Sequence, residues 1–342
     1  MDALVTGSTG FVGAHVVRAL LARGDRVRVF VREGSSRANL AGLDVEIASG
    51  DLTDLASLRR AVRGVRVLYH CAGDYRFGVR APWTLYAANV NGTDNLMRAA
   101  FDEGVERVVY TSSVGALGLT ADGRPSNEST PVHLSDVVGH YKKSKLLAER
   151  VVDAWVARGL PAVLVHPTTP IGDLDVKPTP TGRIILDFLR GKMRAFVRTG
   201  LNLVDVRDVA NGHLLAAEQG QDGRRYILGN RNITLKEMFD ILARMTELRS
   251  PWLRLPHWVP MVFATADTAL SRLKGRDPGV PIESVRMSRD MMFFDSSRAR
   301  RELGFAPGSV ENAIERAVDW FRGDFARVHA MLARPVRELT LT

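Results

Sequence analysis

Seven residues near the start constrain this chain more than any others: Gly7-Ser8-Thr9-Gly10-Phe11-Val12-Gly13. They lie between an apolar run, Ala3–Thr6, and a segment, Phe11–Arg23, whose Val12, Val16, Ala19 and Leu20 recur at helical spacing before Gly24. A strand that turns through glycines into a helix presents the helix's unpaired N–H groups and its positive dipole end to whatever approaches the turn. Gly7 permits the tight turn, Gly10 lets a pyrophosphate approach the backbone, and Gly13 lets helix and strand pack closely. Gly7, Thr9, Gly10, Phe11, Val12 and Gly13 are therefore read as a dinucleotide-binding loop.

The rhythm that follows agrees with that reading. Short apolar runs at Arg26–Val31, Val45–Ala48, Val67–Tyr69, Val108–Thr111 and Ala162–Val165 alternate with helical patterns at Leu55–Val62, Thr84–Asp102 and Tyr141–Arg158. Such alternation requires a parallel sheet covered on both faces, a doubly wound α/β (Rossmann) domain. The rhythm breaks after Pro167. Pro167–Gly182 holds four prolines and several threonines and reads as loop. Beyond it, Leu203–Val206 and Arg225–Leu228 read as strands, and Arg183–Arg190, Val209–Gln219, Leu235–Thr246, His257–Lys274 and Val310–Val328 as helices. The expected layout is a cofactor domain of 1–167 with about 203–229, a smaller, mostly helical substrate domain of 168–202 with about 230–330, and a tail of 331–342.

Composition narrows the setting. The chain of 342 residues has 47 basic and 38 acidic side chains, a net charge of +9 that suits an anionic ligand or surface as readily as plain arginine richness. No basic stretch interleaves with aromatics as a nucleic-acid binder's would, so no nucleic-acid partner is expected. No apolar stretch is long enough to span a bilayer, and no charged-then-apolar leader precedes the first strand. The single cysteine, Cys71, excludes an internal disulfide and fits a reducing cytoplasm. No metal site is expected.

Three further places bear on a dinucleotide. The second strand ends Val31-Arg32-Glu33 and continues to Ser35, Ser36 and Arg37. Arginines there suit the 2′-phosphate of NADP(H), whereas an inward Glu33 would suit the 2′-hydroxyl of NAD(H). The arginines favour NADP(H) over NAD(H). Asp51 and Leu52 follow the third strand, where a carboxylate can accept from an adenine amino group, although helix capping by this segment is equally served. Cys71-Ala72-Gly73 leaves the fourth strand with side chains small enough for a cofactor to press on the backbone; Cys71 reads as a small apolar group, not a nucleophile.

The reactive signal is Tyr141-Lys-Lys-Ser-Lys145. The four-residue spacing puts the phenol and the ammonium on one helix face. A nearby ammonium stabilises a phenolate and lowers a pKa that is otherwise about 10. Tyr110-Thr111-Ser112-Ser113 closes the fifth strand at the carboxyl edge, where α/β sheets bind ligands and where a hydroxyl can polarise a carbonyl.

Taken together these motifs resemble the extended short-chain dehydrogenases/reductases, the NAD-dependent epimerase/dehydratase family, from Met1 to about Phe321. The resemblance implies Ser113, Tyr141 and Lys145 as the catalytic set, with Thr111 or Ser112 supporting. It implies Asn89 of Asn89-Val-Asn-Gly-Thr93 beside the cofactor, and His166-Pro167-Thr168-Thr169 flanking the nicotinamide. More narrowly, Ala72–Arg76, Gly139–Lys142, Lys177–Arg183 and Thr199–Leu203 are similar to the hopanoid-associated sugar epimerases and dihydroflavonol 4-reductases. Tyr75, Ser113, Thr168 and Thr179 are the candidate substrate contacts. Nucleotide-sugar epimerases usually carry an arginine for the nucleotide phosphates where this chain has Leu201, with Arg183 or Arg198 as possible substitutes. The resemblance also implies a homodimer built on Thr84–Asp102 and Tyr141–Arg158.

The reading is hydride exchange between NADP(H) and a carbonyl or carbinol carbon of a small, hydrophobic substrate. Transient oxidation followed by epimerisation or dehydration of a sugar-like group is the second reading, and a non-catalytic dinucleotide binder the third. Pro256–Lys274, mostly apolar with basic Arg272 and Lys274 at its end, is read as a lid, a core or subunit-packing helix, or a peripheral membrane contact.

Overall fold

The computed structural model describes residues 1–76 and 81–332, so the predicted tail from Arg334 onward lies outside it. The first half runs β1 (Ala3–Thr6), α1 (Phe11–Ala22), β2 (Val27–Val31), β3 (Glu46–Ser49), α2 (Leu55–Val62), β4 (Val67–His70), α3 (Trp83–Tyr86), α4 (Gly92–Asp102), β5 (Arg107–Thr111), α5 (His140–Val156) and β6 (Ala162–Pro167). The second half runs β7 (Thr169–Ile171), α6 (Pro180–Leu189), β8 (Ala195–Val197), β9 (Gly200–Asp205), α7 (Val206–Gln219), β10 (Arg225–Leu228), β11 (Arg231–Thr234), α8 (Leu235–Thr246), β12 (Leu253–Leu255), α9 (Trp258–Leu273), α10 (Ile282–Met287), β13 (Met291–Met292), α11 (Ser297–Leu303), α12 (Val310–Arg322) and α13 (Asp324–Leu332).

Seven parallel strands form the main sheet in the order β10-β6-β5-β4-β1-β2-β3. The chain builds outward from β1 through β3 and then crosses back to β4, so the winding reverses between β1 and β4. In open α/β sheets such a reversal leaves a crevice outside the strands' carboxyl ends. Side chains alternate across the sheet as its pleat requires. Ala3, Val5, Val109 and Val163 join the core under α1, α7 and α11. Leu4, Val108, Tyr110 and Leu164 join the core under α2, α4 and α5.

The smaller unit is mostly helical, as expected, and also holds short strands that the sequence did not reveal. Strand β9 is flanked by β11 and β13, with β7 also paired to it, and β12 pairs with β8. These strands are two to six residues long, too short to register as periodic runs. Within the supposed loop, β7 carries Pro170, tolerated because β7 pairs only with β9 and is an edge. The stretch around Leu203 does not enter the main sheet: β9 stays in the small one, and the chain returns through α7 and then β10. A third core, including Ile185, Phe188, Phe239, Ile314 and Phe321, fills this unit.

Two helices also depart from expectation. Thr84–Asp102 is interrupted by a π-helical turn, Ala87–Asn91, which carries Asn89. The predicted Val310–Val328 helix breaks at Gly323 into α12 and α13.

Candidate active site

At the crevice, Gly7 holds φ at 68°, and a Cβ there would lie 2.6 Å from the Ala72 nitrogen and the Cys71 carbonyl carbon. A Cβ on Gly13 would overlap the Gly7 carbonyl. The loop is thus packed on its own backbone and on the chain leaving β4, with no room for a side chain at Gly7 or Gly13. Gly10 is exposed and caps α1 without any side-chain hydrogen bond, so the first-turn N–H groups carry no built-in acceptor. That cradle fits a dinucleotide pyrophosphate. Thr9 is anchored from behind, its carbonyl accepting from Asn39 Nδ2 at 3.2 Å.

Beyond β2, Arg32, Glu33 and Arg37 are all exposed. Asp51 accepts from Thr53 through N–H (2.8 Å) and hydroxyl (2.6 Å), which hold its carboxyl below the usual range, and the charge of Arg32 adds to this. Arg32 therefore lies on the Asp51 side of the β2 end. Leu52 packs against Gly92 at the start of α4.

The strand β5 and the helix α5 bring the reactive groups together. The Ser113 hydroxyl lies close enough to the Tyr141 phenol to favour its ionised form, and accepts from Gly115 N–H at 3.1 Å. Lys145, 5% exposed, donates from Nζ to the Thr111 carbonyl at 2.6 Å and lies 4.6 Å from the centre of the Tyr110 ring. Burial lowers the Lys145 ammonium to about 8, against the attraction of Glu149. Burial pushes the Tyr141 phenol above its ordinary value, opposed by the neighbouring Ser113 hydroxyl. Desolvation is the larger of the two influences on the phenol. A protonated Tyr141 can donate to an oxygen, and Ser113 can share that oxygen's growing charge.

Thr111 and Ser112 act through neighbours. Thr111 gives its carbonyl to Lys145 and its hydroxyl to His213 Nε2 at 2.9 Å, the other nitrogen of His213 donating to Val209 at 2.7 Å. Burial holds His213 neutral, its pKa down to about 4. The Ser112 hydroxyl donates to Glu149, which also accepts from His166 Nε2 at 2.7 Å and from Arg225 at 3.1 Å. His166 is therefore a fully buried partner of Glu149, and Pro167 is buried with it. Glu149 was missed in the sequence, although it follows Tyr141 and Lys145 at the same four-residue spacing. Its carboxyl stays below the usual range because His166, Ser112 and Arg225 outweigh the effect of burial.

Asn89 is 2% exposed and ties the crevice together. Its Oδ1 accepts from Asp74 N–H at 2.7 Å, and its Nδ2 donates to the Asp74 carbonyl at 2.8 Å and to Ser144 at 2.9 Å. Behind it, Thr93 donates to the Asn89 carbonyl (2.7 Å) and faces His70 Nε2 (3.1 Å), while His70 Nδ1 faces Thr6 (2.7 Å), which accepts from Ala72 N–H. This orders the rings and hydroxyls into one buried chain from the glycine loop to the π-helical turn. Gly73 sits beside Asn89 and Lys145, and the half-buried Cys71 has its thiol pushed up to about 11 by burial, as suits a packing group.

On the substrate side, Tyr75 is 42% exposed and donates to the Lys177 carbonyl at 3.3 Å. Burial of its ring, with the nearby Asp175 and Tyr141, pushes its phenol up to about 12. Thr168 is half-buried, next to Gly229. Thr179 departs from its expected role: its hydroxyl donates to Asp175 at 2.8 Å and accepts from Gly182 N–H at 3.0 Å, capping α6. Asp175, 2% exposed, was not singled out in the sequence, and burial raises its carboxyl to about 7. Leu201 sits in β9 opposite Ile233 and against the small core. Arg183 is exposed and lies 3.8 Å from Asp187, and Arg198 is exposed as well. Among the described residues, no group of acidic, histidine and cysteine side chains could hold a metal, and no helix is long and apolar enough to cross a membrane.

A Rossmann sheet with this serine, tyrosine and lysine around its switch-point crevice defines an enzyme of the short-chain dehydrogenase/reductase superfamily. The chain belongs to the NAD dependent epimerase/dehydratase family, whose pattern matches residues 3–229. A Synechocystis relative, provisionally named dihydroflavonol 4-reductase, is 44% identical over 322 residues, covering 93% of this chain and 94% of its own. Sterol demethylase protein B of Methylococcus capsulatus is 41% identical over 326 residues, covering 94% and 98%. The crystal structure of gox2253 is 47% identical with a TM-score of 0.84, covering 94% and 98%.

Proposed function

We propose that this oxidoreductase is an NADP(H)-dependent reductase or dehydrogenase acting on a carbonyl or carbinol carbon of a small lipophilic molecule. The observation that carries the reading is the placing of the Ser113 hydroxyl and the Tyr141 phenol together beside the buried Lys145. Bound NADP(H) would supply or take the hydride. Tyr141 holds the proton that the substrate oxygen gains on reduction, and a desolvated phenol, being protonated, suits that direction. Ser113 donates to the same oxygen. Lys145 places a positive charge behind the phenol and offers donors to a cofactor ribose, and Asn89 fixes the wall next to it. Gly7, Gly10 and Gly13 with the α1 N-terminus hold the pyrophosphate, and Asp51 with Leu52 the adenine end. Arg32 and Arg37 receive the 2′-phosphate, which is why NADP(H) is preferred despite the family's description.

Two further observations favour net redox over epimerisation of a nucleotide sugar. Leu201 offers nothing to a diphosphate. The sterol and flavonol names of the relatives point to apolar ring systems, and the half-exposed Tyr75 can face such a ring. A homodimer through α4 and α5 is part of the proposal, supported by an open groove that Leu147, Val151, Ala154 and Trp155 line there. A reducing, cytoplasmic setting suits the lone cysteine.

The test is stoichiometric. Purified protein with NADPH is offered a sterol ketone, a dihydroflavonol and a nucleotide sugar, following absorbance and product. Loss of one NADPH per ketone reduced is expected. Conversion of the nucleotide sugar when NAD(P)⁺ replaces NADPH, with no net change in the cofactor, would instead establish the epimerase reading.

A further inference from the structure

We propose that the outward face of α9 docks this protein on an anionic phospholipid surface. An ordinary surface helix buries its apolar stripe and shows water its polar one. In α9 the arrangement is reversed. The buried side holds Ala264 and Ser271, and Asp267 is turned to Arg276 at 3.2 Å and to the Val280 N–H at 2.9 Å. The opposite side exposes Trp258 (65%), Val262 (60%), Phe263 (67%) and Leu273 (87%). Residues 258, 262, 266, 269 and 273 follow one another at three- and four-residue spacing, so these side chains form one continuous face, with Ala266 and Ala269 filling it. That face carries no acidic side chain.

Charge decides what covers it. Exposed Arg254 precedes the helix and exposed Lys274 follows it, and residues 251–289 hold six basic against three acidic side chains. A second copy pairing its own α9 here would bring basic ends against basic ends whether the helices ran parallel or antiparallel. Lipid headgroups of negative charge meet the same ends favourably, and tryptophan suits the boundary between headgroup and acyl chain. A helix of this kind lies in the interface plane, consistent with its being too short and mixed to span.

The face is also close to the chemistry. Helix α10 packs on α9, and its Glu283 carboxylate reaches Gly139, where a Cβ would meet it at 3.0 Å, two residues before Tyr141. His257, just ahead of α9, bonds the Ser288 carbonyl just after α10 at 2.9 Å. A docked α9 would thus stand one helix away from the catalytic helix, a short transfer for a molecule dissolved in the bilayer. The proposal rests on the lipophilic-substrate reading for its purpose, but its test does not use turnover.

The full chain, without substrate or cofactor, is floated with phosphatidylcholine vesicles with and without phosphatidylglycerol, alongside a Phe263→Ser/Leu273→Ser variant. Both changes are at exposed positions, and unchanged melting verifies the variant's fold. The wild type is expected to float with the phosphatidylglycerol vesicles, to detach at high salt, and to lose roughly tenfold or more of its partitioning in the variant. Equal flotation of wild type and variant, or none with either vesicle, overturns the proposal. So does a light-scattering mass that halves in the variant, which would assign the face to a second copy. Failure here with NADPH-dependent reduction of a sterol ketone intact would leave the substrate reading standing; loss of that activity alone would remove the reading and leave the docking.

Discussion

Replacing Gly7 by alanine separates two costs that the glycine loop carries. The left-handed conformation at φ 68° costs an alanine about 1–2 kcal/mol. The new Cβ would also lie 2.6 Å from backbone atoms of Cys71 and Ala72, which cannot rotate away as a side chain would. Overpacking of that kind costs about 1–3 kcal/mol, for a total of about 2–5 kcal/mol. With roughly 0.7 kcal/mol per kelvin of unfolding entropy for a chain of this length, Tm should fall by about 3–7 °C. Gly24 supplies the control: its φ is 90°, and nothing lies within 4 Å of its Cβ position. Gly24→Ala should therefore cost only the conformational part, about 1–3 °C. Calorimetry of the two variants gives the difference, and NADPH titration should show dinucleotide affinity lost in Gly7→Ala and kept in Gly24→Ala. Equal melting of the two variants, with NADPH binding intact in both, would refute the claim that the loop is packed on the chain leaving β4.

Tyr141→Phe keeps the ring and removes the proton carrier, so kcat should fall by about 10²–10⁴ with NADPH affinity retained; a smaller loss in steady-state reduction would move the proton elsewhere. Glu149→Ala strips buried His166 and Arg225 of their shared acceptor and should cost about 3–5 kcal/mol, read as a Tm drop of about 4–7 °C. Asp175 predicts a pH dependence. Its carboxyl rises from 3.8 to about 7 on folding, so across that interval the folded state keeps a proton that the unfolded state has lost. Its stabilising contribution is present below the lower value and lost as pH climbs toward the upper one. Melting curves of wild type and Asp175→Asn should therefore diverge over that interval, the wild type declining relative to the variant; parallel curves would count against the burial of a protonated Asp175.

The parallel sheet and its winding were legible because each strand is a short apolar run closed by a turn, and each covering helix has its stripe. Tyr141 and Lys145 were legible for the same reason that they work together: four residues apart, they share a helix face. The small sheet was not, since β7, β8, β12 and β13 are two or three residues long and one of them contains Pro170. The support behind the site was hidden for a different reason. Glu149, His166 and Arg225 come from three elements and meet only in the folded chain, and the sequence placed His166 by motif position, which says nothing about which way its ring turns. Thr179 shows the same limit: its hydroxyl, read as a substrate contact, caps a helix whose start lay inside the supposed loop. Arg32 and Arg37 were visible as residue types at a strand end, and the structure keeps them exposed there.

The most direct test of the central claim is a fluorescence titration of the purified protein with NADPH and with NADH, repeated on Arg32→Ala. Two or three charge-assisted hydrogen bonds to a 2′-phosphate predict NADPH binding tighter by about tenfold to a hundredfold, and loss of that margin in the variant. NADH binding as tightly as NADPH, or a preference untouched by Arg32→Ala, would contradict the account.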